Sequence, residues 1–126
     1  MNKQVGVIGL GIMGSAMMRN LIKNGFEVIG FDIAEAGCRA LTDAGGQRAA
    51  SPRDVADRVQ IMITSLPNVA ALHEATAGPN GIASSSKTGQ IIIECSTFPI
   101  EEKQRAHDAL AAKGKTLLDC PVSGTG

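Results

Sequence analysis

Two short apolar runs, joined by a glycine-spaced turn and one amphipathic stretch, fix most of what this chain can become. They lie in residues 4–32, QVGVIGLGIMGSAMMRNLIKNGFEVIGFD. Val5, Gly6, Val7 and Ile8 form the first run, and Gly9, Gly11 and Gly14 follow in the spacing G-x-G-x-x-G. Residues 15–24 are amphipathic and Gly25 closes them. Val28, Ile29, Gly30 and Phe31 form the second run, and Asp32 ends it, 18 residues after Gly14. Read physically, this is strand, tight turn, helix, turn, strand, carboxylate.

The turn implies a ligand. Gly9 permits a sharp exit from the strand. Gly11 has no side chain to keep a pyrophosphate off the main chain, and Gly14 lets the helix approach the sheet. Leu10, Ile12 and Met13 complete the same loop. The helix start offers free N–H groups and a positive dipole end to phosphates. Asp32, at the tip of the second strand, is placed to accept hydrogen bonds from ribose hydroxyls. A G-x-G-x-x-G by itself is weak evidence and fits a bare glycine turn. The preceding strand, the following helix and the acid supply the context that the dinucleotide motif requires.

Composition narrows the class. The 126 residues suffice for one domain with a single core, and 44% hydrophobic against 19% charged residues is globular rather than disordered. With no Trp, no Tyr and three Phe, the core must be aliphatic. Lys plus Arg equals Asp plus Glu at 12 each, without the basic excess of a nucleic-acid surface. Cys38, Cys95 and Cys120 are odd in number and lack a C-x-x-C, so a disulfide framework is not expected and a reducing, cytoplasmic setting is. The apolar residues from Lys3 to Met18 loosely resemble a signal peptide, but the strand–glycine–helix logic accounts for them better. No segment has the length of a membrane span.

Periodicity predicts strands over residues 3–9, 27–32, 47–50, 59–65, 90–94 and 115–119, the fourth a buried parallel strand. It predicts helices over 12–24, 34–44, 51–57, 68–76 and 99–113. Met13, Met17, Leu21 and Ile22 are the expected inner face of the first helix. Ser51, Pro52 and Asp54 read as N-cap, first turn and capping box. Residues 78–89 read as a loop that Ile82 could anchor. Strands alternating with helices give a doubly wound α/β fold, a Rossmann-type, mostly parallel sheet with helices on both faces. Right-handed crossovers then collect residues 9–14, Asp32, 65–68, 95–99 and 120–124 on one edge, where such sheets bind ligands.

Each of these strand ends has two readings. Leu66–Pro67 either lines a cofactor or simply terminates a strand. Ser96 and Thr97 either meet cofactor or substrate, or cap the next helix, which is the default. Ser123 and Gly124 make either a small anion-accepting turn suited to a carboxylate or an ordinary loop.

Together, GLGIMG (residues 9–14), SLP (65–67), ECSTFP (94–99) and DCPVSG (119–124) resemble the β-hydroxyacid dehydrogenases, the family of 3-hydroxyisobutyrate dehydrogenase and tartronate semialdehyde reductase, with 6-phosphogluconate dehydrogenase more distant. The order and spacing of the four motifs cover the entire chain. The resemblance implies that Gly9, Leu10, Gly11, Ile12, Met13 and Gly14 hold the pyrophosphate. Leu66 and Pro67 line the cofactor site, Thr97 touches the nicotinamide side, and Ser123 and Gly124 bind the substrate carboxylate. The family often has a second glycine where this chain has Thr125, and often an asparagine a few residues after the Leu–Pro, where the nearest here is Asn68.

Asp32 would repel a 2′-phosphate, so NAD is expected rather than NADP. The implied activity is hydride transfer between NAD and a small 3-hydroxy acid or its semialdehyde, with neither nucleic acid nor membrane as partner. The resemblance places the acid/base lysine, and the helical domain that completes the pocket and mediates homo-oligomerisation, beyond Gly126. Residues 1–126 are therefore expected to be a truncated cofactor-binding domain that binds without turnover, containing no catalytic residue and no metal. His73 and His107 are not expected to replace the lysine, and Cys95 and Cys120 read as small apolar fillers. An imine reductase-like NADPH enzyme and a non-catalytic dinucleotide module are the alternatives. A flavin or methyl-donor site leaves Ser96–Thr97 and Ser123–Gly124 unexplained.

Overall fold

In the computed structural model, residues 3–122 are described. The chain runs β1 (Gln4–Ile8), α1 (Ile12–Lys23), β2 (Glu27–Phe31), α2 (Glu35–Asp43), β3 (Gln47–Arg48), α3 (Pro52–Arg58), β4 (Ile61–Thr64), α4 (Val69–Ala77), a 3-10 turn (Ile82–Ser84), β5 (Ile91–Glu94), α5 (Ile100–Ala111) and β6 (Thr116–Asp119). All paired strands are parallel, in the order β3-β2-β1-β4-β5-β6. The order reverses between β1 and β4, which puts a crevice at the carboxyl end of β1. The doubly wound α/β expectation is met.

Local chemistry explains the boundaries. Gly25, Gly45 and Gly114 follow α1, α2 and α5 with φ of +89°, +100° and +74°, the left-handed conformation that ends a helix. Ser51 accepts from the Asp54 N–H at 3.0 Å, and the Asp54 carboxylate accepts from Ala50 N–H at 2.8 Å. Such a cap contributes roughly 1 kcal/mol. The loop anchor is real, since Ile82 is fully buried.

Two apolar clusters hold the layers. Val5, Val7, Leu10, Met18, Val28 and Leu41 pack α1 and α2 on one face of β1 and β2. Ile8, Ile29, Val55, Met62, Leu72, Ile92, Leu110 and Leu117 pack the other helices on the opposite face. Met18, not Met13 or Met17, is the fully buried methionine of α1. The helix rests on the sheet through Gly14, and Met18 lies one turn further along the same face.

β4, expected to be a buried parallel strand, is buried on one face, through Met62 and Thr64, and partly open on the other. Ile61 is 39% exposed, Ile91 36% and Leu118 45%, because no described helix covers that face of β4, β5 and β6. Ile63 and Ile93 pair side by side on the same half-open face.

Lys115 sits inside the other layer at 2% exposure. Its ammonium donates to the Ser85 carbonyl at 3.0 Å and to that of Lys87, tying the loop before β5 to the start of β6. Burial pushes its pKa below the ordinary value of 10.5. The native state therefore releases this proton before the unfolded chain does. Stability from this group rises with pH between the depressed value and 10.5. Urea denaturation across alkaline pH should show the wild type gaining on Lys115→Met over that window. Parallel pH profiles of the two proteins would refute the linkage.

Candidate functional site

The glycine turn is built by exclusion. Gly9 has φ +94°, and a Cβ there would lie 1.9 Å from the Ser65 carbonyl oxygen. A Cβ on Gly14 would lie 1.8 Å from the Gly9 carbonyl oxygen. These two glycines are demanded by the protein's own backbone. Gly11 is different: a Cβ there meets no atom of the described residues within 4 Å. Packing gives no reason for its bareness, whereas a ligand lying on the main chain does. The first intrahelical bond of α1 is Ser15 N–H to Gly11 O at 2.8 Å, and no described side chain caps the N–H groups ahead of it. Ile12, the first residue of the helix, is 91% exposed. The cradle fits a pyrophosphate.

Asp32 closes the turn. Its Oδ2 accepts from Leu10 N–H at 2.6 Å and its Oδ1 from Ala34 N–H at 2.8 Å. Gly9 N–H reaches the Phe31 carbonyl at 2.9 Å. The carboxylate therefore lies beside the glycine loop with lone pairs left over, since each oxygen can accept more than once.

The ends of β4 and β5 lie next along the edge. Leu66 is half-buried, and Pro67 and Thr97 are exposed. The expectation that a Ser96 or Thr97 hydroxyl caps α5 is corrected: Pro99 is the N-cap and no side chain caps it. The Ser96 hydroxyl instead accepts from Leu66 N–H at 2.7 Å, joining the two strand ends. The carboxylate turn expected at Ser123 and Gly124 lies outside the described residues.

Beneath these turns is a buried polar network that motif reading missed. Glu94, fully buried, accepts from Ser96 N–H at 2.6 Å and from the Thr64 hydroxyl. The Lys103 ammonium donates to the Ser96 carbonyl at 2.5 Å and to Asp119, with Glu94 3.8 Å away. The sequence did carry a signal. Lys103, Ala106 and Leu110 are spaced three and four apart and share the buried stripe of α5. Glu94 follows Ile92 by two on the inner face of β5.

The other candidates do not assemble a catalytic group. His73 is held by Glu102 at 2.9 Å between α4 and α5, and this hydrogen bond draws the Glu102 carboxyl below its usual range. His107 lies beside Asp108, away from the glycine edge. Burial pushes the Cys95 thiol up, and Glu94 and Cys120 add to the shift, so it remains a protonated filler rather than a nucleophile. Cys120, expected to fill a gap, is exposed, because β6 forms the edge of the described sheet. Among the described residues no cluster of three His, Cys, Asp or Glu could hold a metal. No described helix is long and apolar enough to cross a membrane. An open concavity of about 540 Å³, lined by Gly78, Ser84, Ser85, Thr88 and Lys113, lies where β5 and β6 begin, at the end of the sheet opposite the glycine turn.

Known proteins resemble this chain in sequence and in fold. The sequence profile of the NAD binding domain of 6-phosphogluconate dehydrogenase matches residues 4–126. Human mitochondrial 3-hydroxyisobutyrate dehydrogenase is 40% identical over 121 residues, which is 95% of this chain and 36% of that protein. The structure of 3-hydroxyisobutyrate dehydrogenase from Mycobacterium tuberculosis with L-serine superposes with a TM-score of 0.89 at 27% identity, covering 98% of this chain and 42% of that one. The structure described as Psf3 in complex with NADP+ and 2-OPP gives 0.88 at 26% identity, covering 95% and 43%. The chain thus spans well under half the length of each of these relatives.

Proposed function

The chain belongs to the family of the NAD binding domain of 6-phosphogluconate dehydrogenase, and from that premise we propose that it holds NAD for an oxidoreductase acting on a small 3-hydroxy acid or its semialdehyde. The observation that carries this reading is the pairing of an unfilled cradle at Gly11 with the Asp32 carboxylate beside Leu10. Residues 9–14 hold the pyrophosphate, and Asp32 accepts from the adenosine ribose. Leu66 and Pro67 line the cofactor site, and Thr97 touches the nicotinamide side. Ser123 and Gly124 receive the substrate carboxylate. When bound, the nicotinamide supplies hydride transfer.

The protein's own contribution is orientation and exclusion of water. None of the described residues is assigned as proton acceptor: His73 is engaged by Glu102, Cys95 is held protonated, and the Lys103 donors are committed to Ser96 and Asp119. Residues 1–126 accordingly bind cofactor without turning over substrate. Three free cysteines suit a reducing compartment.

Calorimetric titration of NAD and NADP tests the assignment. NAD binds at least about tenfold more tightly, a difference of about 1.4 kcal/mol, because Asp32 repels a 2′-phosphate. Tighter NADP binding would defeat it.

A further inference from the structure

We infer that Lys103 is a positioning residue that joins the nicotinamide side of the site to the exit of β6, an inference that rests on the cofactor reading above. Lys103 lies on α5 with its side chain 5% exposed, where an unpaired ammonium would be costly. Among the described residues, every partner it has is at a strand end. It donates to the Ser96 carbonyl, one residue before Thr97. It donates to Asp119, the last residue of β6 and the start of the segment leading to Ser123. Glu94 stands 3.8 Å away, and its carboxylate in turn holds Ser96 N–H and the Thr64 hydroxyl of β4. The Ser96 hydroxyl then fixes Leu66 N–H at 2.7 Å. One ammonium thus connects the ends of three successive strands, and the backbone on both sides of Ser96 is bound by charged groups.

The other half of the site has no part in this network. The glycine turn and Asp32 are held by backbone exclusion and by Leu10 and Ala34 N–H groups. Removing Lys103 therefore frees the Ser96–Thr97 turn and leaves the adenosine end in place. A lysine that only held the fold together would affect both ends alike.

Saturation-transfer NMR on bound NAD separates the two ends, since adenine and nicotinamide protons resolve. In the wild type both sets receive saturation. In Lys103→Met the nicotinamide signal is lost while the adenine signal stays. Because that variant leaves Glu94 buried beside no cation, the double variant Glu94→Gln/Lys103→Met is measured alongside it. There both charges are gone and the hydrogen-bonding shape of residue 94 is kept, so a folded protein is read even where the single variant fails to fold. An unchanged ratio of nicotinamide to adenine signal in the folded variants, or equal loss of both, overturns the inference. A wild type that shows no saturation of NAD at all overturns the cofactor reading, and this inference with it.

Discussion

Gly14→Ala is expected to unfold the glycine turn, and Gly11→Ala to leave the fold alone and abolish tight cofactor binding. The two substitutions add the same methyl group within one six-residue loop. At Gly14 it would lie 1.8 Å from the Gly9 carbonyl oxygen and 2.8 Å from its carbon, both backbone atoms of the adjoining strand exit. Ordinary overpacking costs roughly 1–3 kcal/mol, and here no flexible side chain can give way. A loss above that range is a large part of the roughly 5–15 kcal/mol that stabilises a typical domain. At Gly11 the methyl meets nothing among the described residues within 4 Å, and φ is −75°, which alanine adopts freely. Exchanging glycine for alanine at an N-cap costs about 1 kcal/mol at most. Urea denaturation should therefore separate them, with the midpoint collapsing for Gly14→Ala and nearly unchanged for Gly11→Ala. Titration of NAD into Gly11→Ala should show affinity lowered at least about tenfold. Unchanged affinity would mean that the cradle is not where the pyrophosphate lies.

The second large effect is at Asp32. Asp32→Ala removes the acceptor of Leu10 N–H, and Leu10 is only 4% exposed. A buried donor left unpaired costs roughly 1–3 kcal/mol. The Ala34 N–H is nearer solvent and can turn to water. The same substitution removes the proposed ribose acceptor, so stability and affinity for NAD fall together. Asp32→Asn is intermediate in stability, because its amide keeps one acceptor oxygen but presents N–H to one of the two donors. Denaturation midpoints and NAD titrations of both variants check this. An Asp32→Ala protein as stable and as tight-binding as wild type would remove Asp32 from both roles.

Much of this architecture could be read from the chain because its determinants are local. The spacing of Gly9, Gly11 and Gly14, the apolar runs on either side and the glycines that close the helices each act through their own backbone. The strand edge that gathers the candidate residues follows from crossover handedness. What escaped motif reading depends on distant partners. Lys103 belongs to a helix whose sequence, IEEKQRAHDALA, reads as solvated, and only the spacing to Ala106 and Leu110 shows it turned inward. Ser96 resembled a helix cap because its actual partner, Leu66, lies 30 residues earlier in the chain. The open face at Ile61, Ile91 and Leu118 was missed for a related reason: an apolar run shows that a strand can be buried, not which layer lies over it.

The two hydrogen bonds that hold the Asp32 carboxylate bear on how affinity is divided between folding and binding. Ordering a charged side chain and a loop at the moment of association consumes part of the gross interaction energy. Here Leu10 and Ala34 N–H groups have already fixed both oxygens, and Gly9 is locked between Phe31 and Ser65. The conformational entropy of the proposed ribose site is thus lost during folding. The site is preorganised, and a nucleotide arriving there meets an acceptor already aimed, with no loop to wait for.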